Sequence, residues 1–301
     1  MGLRNPENDD QPVSGVANVA GLELAYAEWY PSRRGLGPTL LFIHATGFHA
    51  RIWDQIVRRL PLRHTICIDM HGHGLSDGEP ISHWQVLCEE LTQFVRALDL
   101  QDVIAIGHSM GGHAAIAAAA ALPDRFNQLI LIDPVVFPPE EYGQTAKPFN
   151  GGELHPTAKR RRDFDSIEAM VERFKNRSPY ALFTPETLLD YCRYGLTKKE
   201  TDAGYMLACA PEMEASVYTT SRTNKAIFDC IETVQHPVLI LRAAMEDDPA
   251  NMSFTSSPTW PGLVDAFAHA QEIYRPDLTH FMPMEAPDEI AAIIDAVATG
   301  D

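Results

Sequence analysis

Residues 103–112 read Val103-Ile104-Ala105-Ile106-Gly107-His108-Ser109-Met110-Gly111-Gly112. An apolar, β-branched run ends in a G-x-S-x-G pattern and opens directly onto an alanine-rich stretch, HAAIAAAAAL, that continues to Leu122. The run has the length and composition of a buried strand, and the stretch from Met110 to Leu122 has those of a helix. A serine between two such elements occupies a sharp turn. The turn demands strained backbone angles at the serine and close approach of its neighbours, so glycine stands on either side, where a Cβ would collide. The hydroxyl is then held at the carboxyl end of the strand, and the N–H groups of the following helix face any negative charge that develops there. The pattern alone arises often by chance. Its strand–turn–helix setting makes it a nucleophile elbow, with Ser109 as the candidate nucleophile.

Working outward from the elbow, further short apolar runs at 39–44, 65–69 and 129–133 each end in loop chemistry, and helical spacing covers 52–60 and 83–98. Strands alternating with helices predict βαβ units and a mostly parallel, doubly wound sheet of the α/β class. The alternation stops after Asp133. From 137 to 235 the chain is polar, contains prolines and is helix-like. PVLIL at 237–241 then resumes the strand pattern, and a last strand is expected near 272–274. Ile290, Ile293, Ile294 and Val297 share one face of a closing helix over 285–298. The expected layout is therefore a flexible leader over 1–15, a core built from 16–136 and 236–301, and an inserted helical cap over 137–235. That insertion holds 12 of the 26 Phe, Tyr and Trp residues, which suggests an apolar lid over a site crevice.

Composition narrows the partners. Of the 301 residues, 45% are hydrophobic and 22% charged, as in soluble globular proteins. A formal net charge of −17 argues against nucleic acid and anionic membrane surfaces, because phosphates would be repelled. The one basic run, Lys159-Arg160-Arg161-Arg162, reads as a solvated helix face. Cys67, Cys88, Cys192, Cys209 and Cys230 are odd in number and lack any C-x-x-C pair, which fits reduced thiols and a cytoplasmic location. The first 15 residues carry no apolar signal region. No metal or nucleotide motif is present, so the expected partner is a small-molecule substrate, with no cofactor, no nucleic acid and no membrane.

Together with the elbow, His44-Ala45-Thr46-Gly47-Phe48, the stretch from Asp69 to Asp77 (DMHGHGLSD) and Thr279-His280-Phe281 occur in an order that resembles the α/β-hydrolase fold superfamily, serine-nucleophile branch, from about residue 22 onward. Serine at 109 separates the chain from relatives that attack with a carboxylate. The resemblance implies that His280, in a loop between the last strand and the closing helix, is the base for Ser109. It implies an oxyanion hole from the backbone N–H groups of Met110 and Thr46, with structural or lining roles for His44, His71 and His73 and with His108 turned away from the nucleophile. Ala45 stands where the family usually has glycine, which predicts a shifted backbone at Thr46. Two addresses are open for the acid: Asp133, ending the strand beside the nucleophile strand, or Glu246 and Asp247 after the 237–241 strand. The second address normally carries a Gly-x-x-Asp turn, and Ala243-Ala244-Met245-Glu246 has no glycine, so turn chemistry favours Asp133.

The implied activity is hydrolysis of a small apolar or aromatic carboxylic ester through an acyl-enzyme. Carbon–carbon bond hydrolysis, acyl transfer and perhydrolysis use the same residues, and a ligand-binding receptor or a lyase uses the same fold.

Overall fold

A computed structural model describes residues 11–143, 155–200, 203–246 and 253–299. Eleven strands form within these residues: β1 (Val13–Val19), β2 (Leu22–Trp29), β3 (Thr39–Ile43), β4 (Thr65–Ile68), β5 (Val103–His108), β6 (Phe126–Ile132), β7 (Asp163–Phe164), β8 (Leu196–Lys198), β9 (Tyr205–Leu207), β10 (Val238–Ala243) and β11 (Ala270–Arg275). Eight of them make one sheet in the order β1-β2-β4-β3-β5-β6-β10-β11. The β1/β2 and β2/β4 pairs are antiparallel, and the pairs from β4 through β3, β5, β6 and β10 to β11 are parallel.

The helices are α1 (Asp54–Val57), α2 (Gln85–Ala97), α3 (Met110–Ala121), α4 (Ile167–Phe174), α5 (Pro185–Tyr194), α6 (Pro211–Thr219), α7 (Ile227–Thr233), α8 (Leu263–Ala266), α9 (Met282–Glu285) and α10 (Pro287–Thr299). The central strands are apolar at consecutive positions because both faces of the sheet are covered. Leu41, Ile43, Val103 and Ala105 join a core cluster with residues of α2, α3 and α7. The intervening Leu40, Phe42, Ile104 and Ile106 join the opposite cluster, with residues of α1 and α10. Ile290 and Ile294 of the closing helix are fully buried there, and Ile293 and Val297 pack against it. Among the described residues no helix is long and apolar enough to cross a membrane.

Three expectations need correction. Residues 13–15 belong to strand β1 of the sheet rather than to a leader; residues 1–10 lie outside the described set. Alternation of side chains on a half-exposed edge strand, with Val16 on the solvent side and Ala17 buried, is too weak a pattern to mark it in sequence. The insertion is not all helical. Besides α4–α7 it carries a small antiparallel sheet of β7, β9 and β8, with strands of two to three residues that no periodicity reveals. The basic run is not a helix face either. Lys159 ends a 3-10 turn and the three arginines follow outside any helix, with Arg160 in extended backbone and directed inward against Glu214 and Tyr191.

Candidate active site

The β5–α3 turn carries the serine at φ 57° and ψ −116°, outside the ordinary regions for an L-residue. Backbone packing explains the flanking glycines. A Cβ on Gly107 would lie 2.6 Å from the Gly111 carbonyl oxygen, and one on Gly111 would lie 2.2 Å from the Ile43 carbonyl oxygen. Both obstacles are main chain, which cannot move aside as a side chain can. Strand β3 and helix α3 thus approach each other closely enough to hold the turn rigid.

His280 follows β11 in the loop before α9, and its own N–H donates to the Thr255 carbonyl at 2.9 Å. Its Nε2 lies 3.0 Å from Ser109 Oγ, and its Nδ1 lies 2.6 Å from Asp133 Oδ2. An ionised carboxylate only accepts, so Nδ1 carries the proton toward Asp133 and Nε2 is left to accept from the serine hydroxyl. Ser109, His280 and Asp133 are therefore brought together in one chain of hydrogen bonds.

Asp133 stands at the end of β6 with a positive φ of 45° and is fully buried. Burial alone raises a carboxyl's pKa. Here the hydrogen bond and charge of His280, the Ser257 hydroxyl and the Ala243 N–H outweigh it and hold the group below the ordinary aspartate range. Its Oδ1 accepts from Ala243 N–H at 3.1 Å and Ser257 Oγ at 2.6 Å, while the nearby Thr259 hydroxyl donates to the Pro134 carbonyl at 2.8 Å. The segment after β10, where the alternative acid was expected, therefore supplies a donor to Asp133, Ser257. Glu246 is bonded through its backbone N–H to Ser256 Oγ at 2.9 Å, and Asp247 lies outside the described residues. Ser257 and Thr259 escaped the sequence reading because hydroxyls in a Ser/Thr-rich loop carry no signature of what they face.

The Met110 N–H lies at the first turn of α3, and Thr46 sits in the loop after β3. Neither backbone N–H has a protein acceptor among the described residues. Ala45 adopts a negative φ, so alanine in place of glycine brings no backbone strain. His44 is fully buried, donates through Nδ1 to the Ala45 carbonyl at 2.7 Å, and accepts the Met70 N–H at Nε2 at 2.9 Å. Phe48 N–H donates to the same Ala45 carbonyl at 3.2 Å. His108 is buried and donates through Nε2 to the His280 carbonyl at 2.8 Å, away from the serine, and burial lowers its pKa to about 3. His71 pairs with Glu90, and His73 donates through Nδ1 to the His71 carbonyl.

Ser109 and His280 open onto a cavity of about 640 Å³, lined in part by Thr46, Phe48, Trp84, Phe137, Tyr218 and Phe281. Of the insertion's aromatic rings, Phe137 and Tyr218 reach this cavity, whereas Phe164, Phe174, Tyr180, Phe183 and Tyr191 pack on one another.

A family model described as the alpha/beta hydrolase family matches residues 40–293. Monoglyceride lipase of Rattus norvegicus is 33% identical over 154 residues, which are 48% of this chain and 50% of the lipase. The 2-(acetamidomethylene)succinate hydrolase of Mesorhizobium japonicum is 32% identical over 103 residues, 33% of this chain and 37% of that protein. The chain thus spans about half the length, or less, of these curated relatives. The crystal structure of an E-2-(acetamidomethylene)succinate hydrolase aligns with a TM-score of 0.74, covering 96% of this chain and 100% of that one at 20% identity, which is a likeness of fold. With the family model matching most of its length, and strand order and elbow in agreement, this chain belongs to the alpha/beta hydrolase family.

Proposed function

We propose that the protein hydrolyses small carboxylic esters through an acyl-enzyme, with Ser109 as nucleophile, His280 as general base and acid, and Asp133 as the acid of the triad. The observation that carries this reading is the pair of contacts at His280: 3.0 Å to the Ser109 hydroxyl and 2.6 Å to the Asp133 carboxylate, at the wall of a cavity. His280 takes the serine proton as Oγ attacks the ester carbonyl, and Asp133 stabilises the imidazolium and fixes its tautomer. The N–H groups of Met110 and Thr46 receive the oxyanion, His280 returns the proton to the leaving alcohol, and water repeats the sequence to release the acid. The segment 137–235 acts as the lid, since Phe137 and Tyr218 contribute to the cavity wall. Partial likeness to a monoglyceride lipase supports an ester substrate.

The test is labelling with a fluorophosphonate alongside hydrolysis of p-nitrophenyl esters of increasing chain length. Labelling and a pre-steady-state burst, both lost in Ser109→Ala, are expected. A protein that binds esters but is neither labelled nor productive overturns the proposal in favour of a receptor.

A further inference from the structure

Among the described residues that line the cavity, Arg222 is the only permanently charged one; no aspartate, glutamate or lysine lines it. Its guanidinium is held in two ways. The carbon Cζ lies 3.8 Å from the centroid of the Phe137 ring, and Nε–H donates to Glu141 Oε2 at 2.9 Å. Glu141 is outside the cavity lining and takes Nε alone. Nη1 and Nη2 meet no acceptor among the described residues.

The backbone around this arginine is equally fixed. The Arg222 carbonyl accepts from Gly143 N–H at 3.3 Å, the Thr223 hydroxyl accepts the Trp84 N–H at 3.1 Å, and Asn224 Nδ2 donates to His113 Nε2 at 3.0 Å. His113 in turn belongs to α3, the helix that begins at the elbow. A stacked, end-anchored arginine with two unengaged amino groups presents the planar fork that matches a carboxylate, with little rotamer freedom left to lose. A protein of net charge −17 repels anions at a distance, so an acidic substrate needs such a local cation.

We propose that Arg222 binds a carboxylate carried by the substrate, so that the preferred substrates are half-esters of dicarboxylic acids rather than wholly neutral esters. The chemistry at the other end rests on the Ser109 reading; the binding of the acid group does not. The measurement is therefore calorimetric titration in a Ser109→Ala background with monoethyl glutarate and, as its neutral counterpart, diethyl glutarate. The monoethyl ester is expected to bind about tenfold more tightly, as one charge-assisted contact provides. Arg222→Gln removes that preference, Arg222→Lys keeps part of it, and Glu141→Gln, which keeps an acceptor for Nε and removes the competing charge, leaves it unchanged or enlarges it.

Equal affinity for the two probes, or a preference that survives Arg222→Gln, overturns the assignment. So does its loss in Glu141→Gln, which would make Arg222 a structural partner of Glu141 alone. Turnover is scored separately in the wild-type protein. Failure to hydrolyse p-nitrophenyl esters sinks the esterase reading and leaves the carboxylate comparison decisive in its own right.

Discussion

The carboxyl of Asp133 is charged inside the protein because three donors converge on its two oxygens, one of them His280. Replacing it by asparagine keeps the shape and reverses the tautomer preference of His280. Asp133→Asn should lower kcat by about three to four orders of magnitude; near-full turnover in that variant, with loss in Glu246→Gln or Asp247→Asn, would move the acid to the other loop. Ser257→Ala removes one of the donors that hold the Asp133 pKa down. The Asp133 carboxyl, followed by NMR, should then titrate at higher pH than in the wild type, because a carboxylate with fewer donors gains its proton sooner as pH falls.

His44 acts at the same scale through a single peptide plane. The Ala45 carbonyl and the Thr46 N–H belong to one planar trans unit and point in opposite directions. By binding the carbonyl, His44 fixes the direction of the donor. His44→Leu should reduce kcat by about a hundredfold with KM nearly unchanged, slowing fluorophosphonate labelling in parallel; a change confined to KM would count against it.

At the scale of elements, the insertion is held together by a largely buried charge pair. Arg160 contacts the Glu214 carboxylate and donates to the Tyr191 hydroxyl at 2.8 Å, joining the chain before β7 to α6 and α5. Arg160→Met leaves a buried carboxylate alone and should cost about 3–5 kcal/mol in urea unfolding, most of it recovered in the Arg160→Met, Glu214→Leu double variant. Nothing in a run of four basic residues says which one turns inward. The parallel strands were legible because burial on both faces makes them continuous apolar runs, and the elbow because its glycines answer to main-chain contacts. The two- and three-residue strands of the insertion were not, since they are shorter than the period needed to recognise them. Ser257, Thr259 and Arg222 were hidden for a related reason: their meaning lies in what the fold carries to them, not in their neighbours along the chain.

For the whole molecule, buried imidazoles set the acid limit. Burial lowers His49, His73 and His113 to about 4 and His108 to about 3, while an unfolded histidine titrates near the ordinary value of 6.5. Below 6.5 the unfolded chain binds protons that the folded one refuses, so stability is full above that pH and falls as pH drops toward 4. Each ring should remove on the order of 1–2 kcal/mol by pH 5. Asp69, raised to about 6 by burial, works in the opposite sense and offsets part of the loss. Urea midpoints at pH 7 and pH 5 check the balance, with a marked decrease expected; replacing His113 by asparagine should reduce proton uptake on acid unfolding by about one.

The three residues of the site are far apart along the chain: His280 lies 171 positions from Ser109 and 147 from Asp133, with the insertion between them. During synthesis Ser109 and Asp133 emerge long before the histidine that bridges them. Non-local contacts of this span form slowly and late. Acquisition of fluorophosphonate reactivity therefore times the final docking of the C-terminal segment. In a pulse-labelled refolding experiment it should lag behind burial of tryptophan in the first half of the sheet, and a chain stopped at residue 235 should never acquire it.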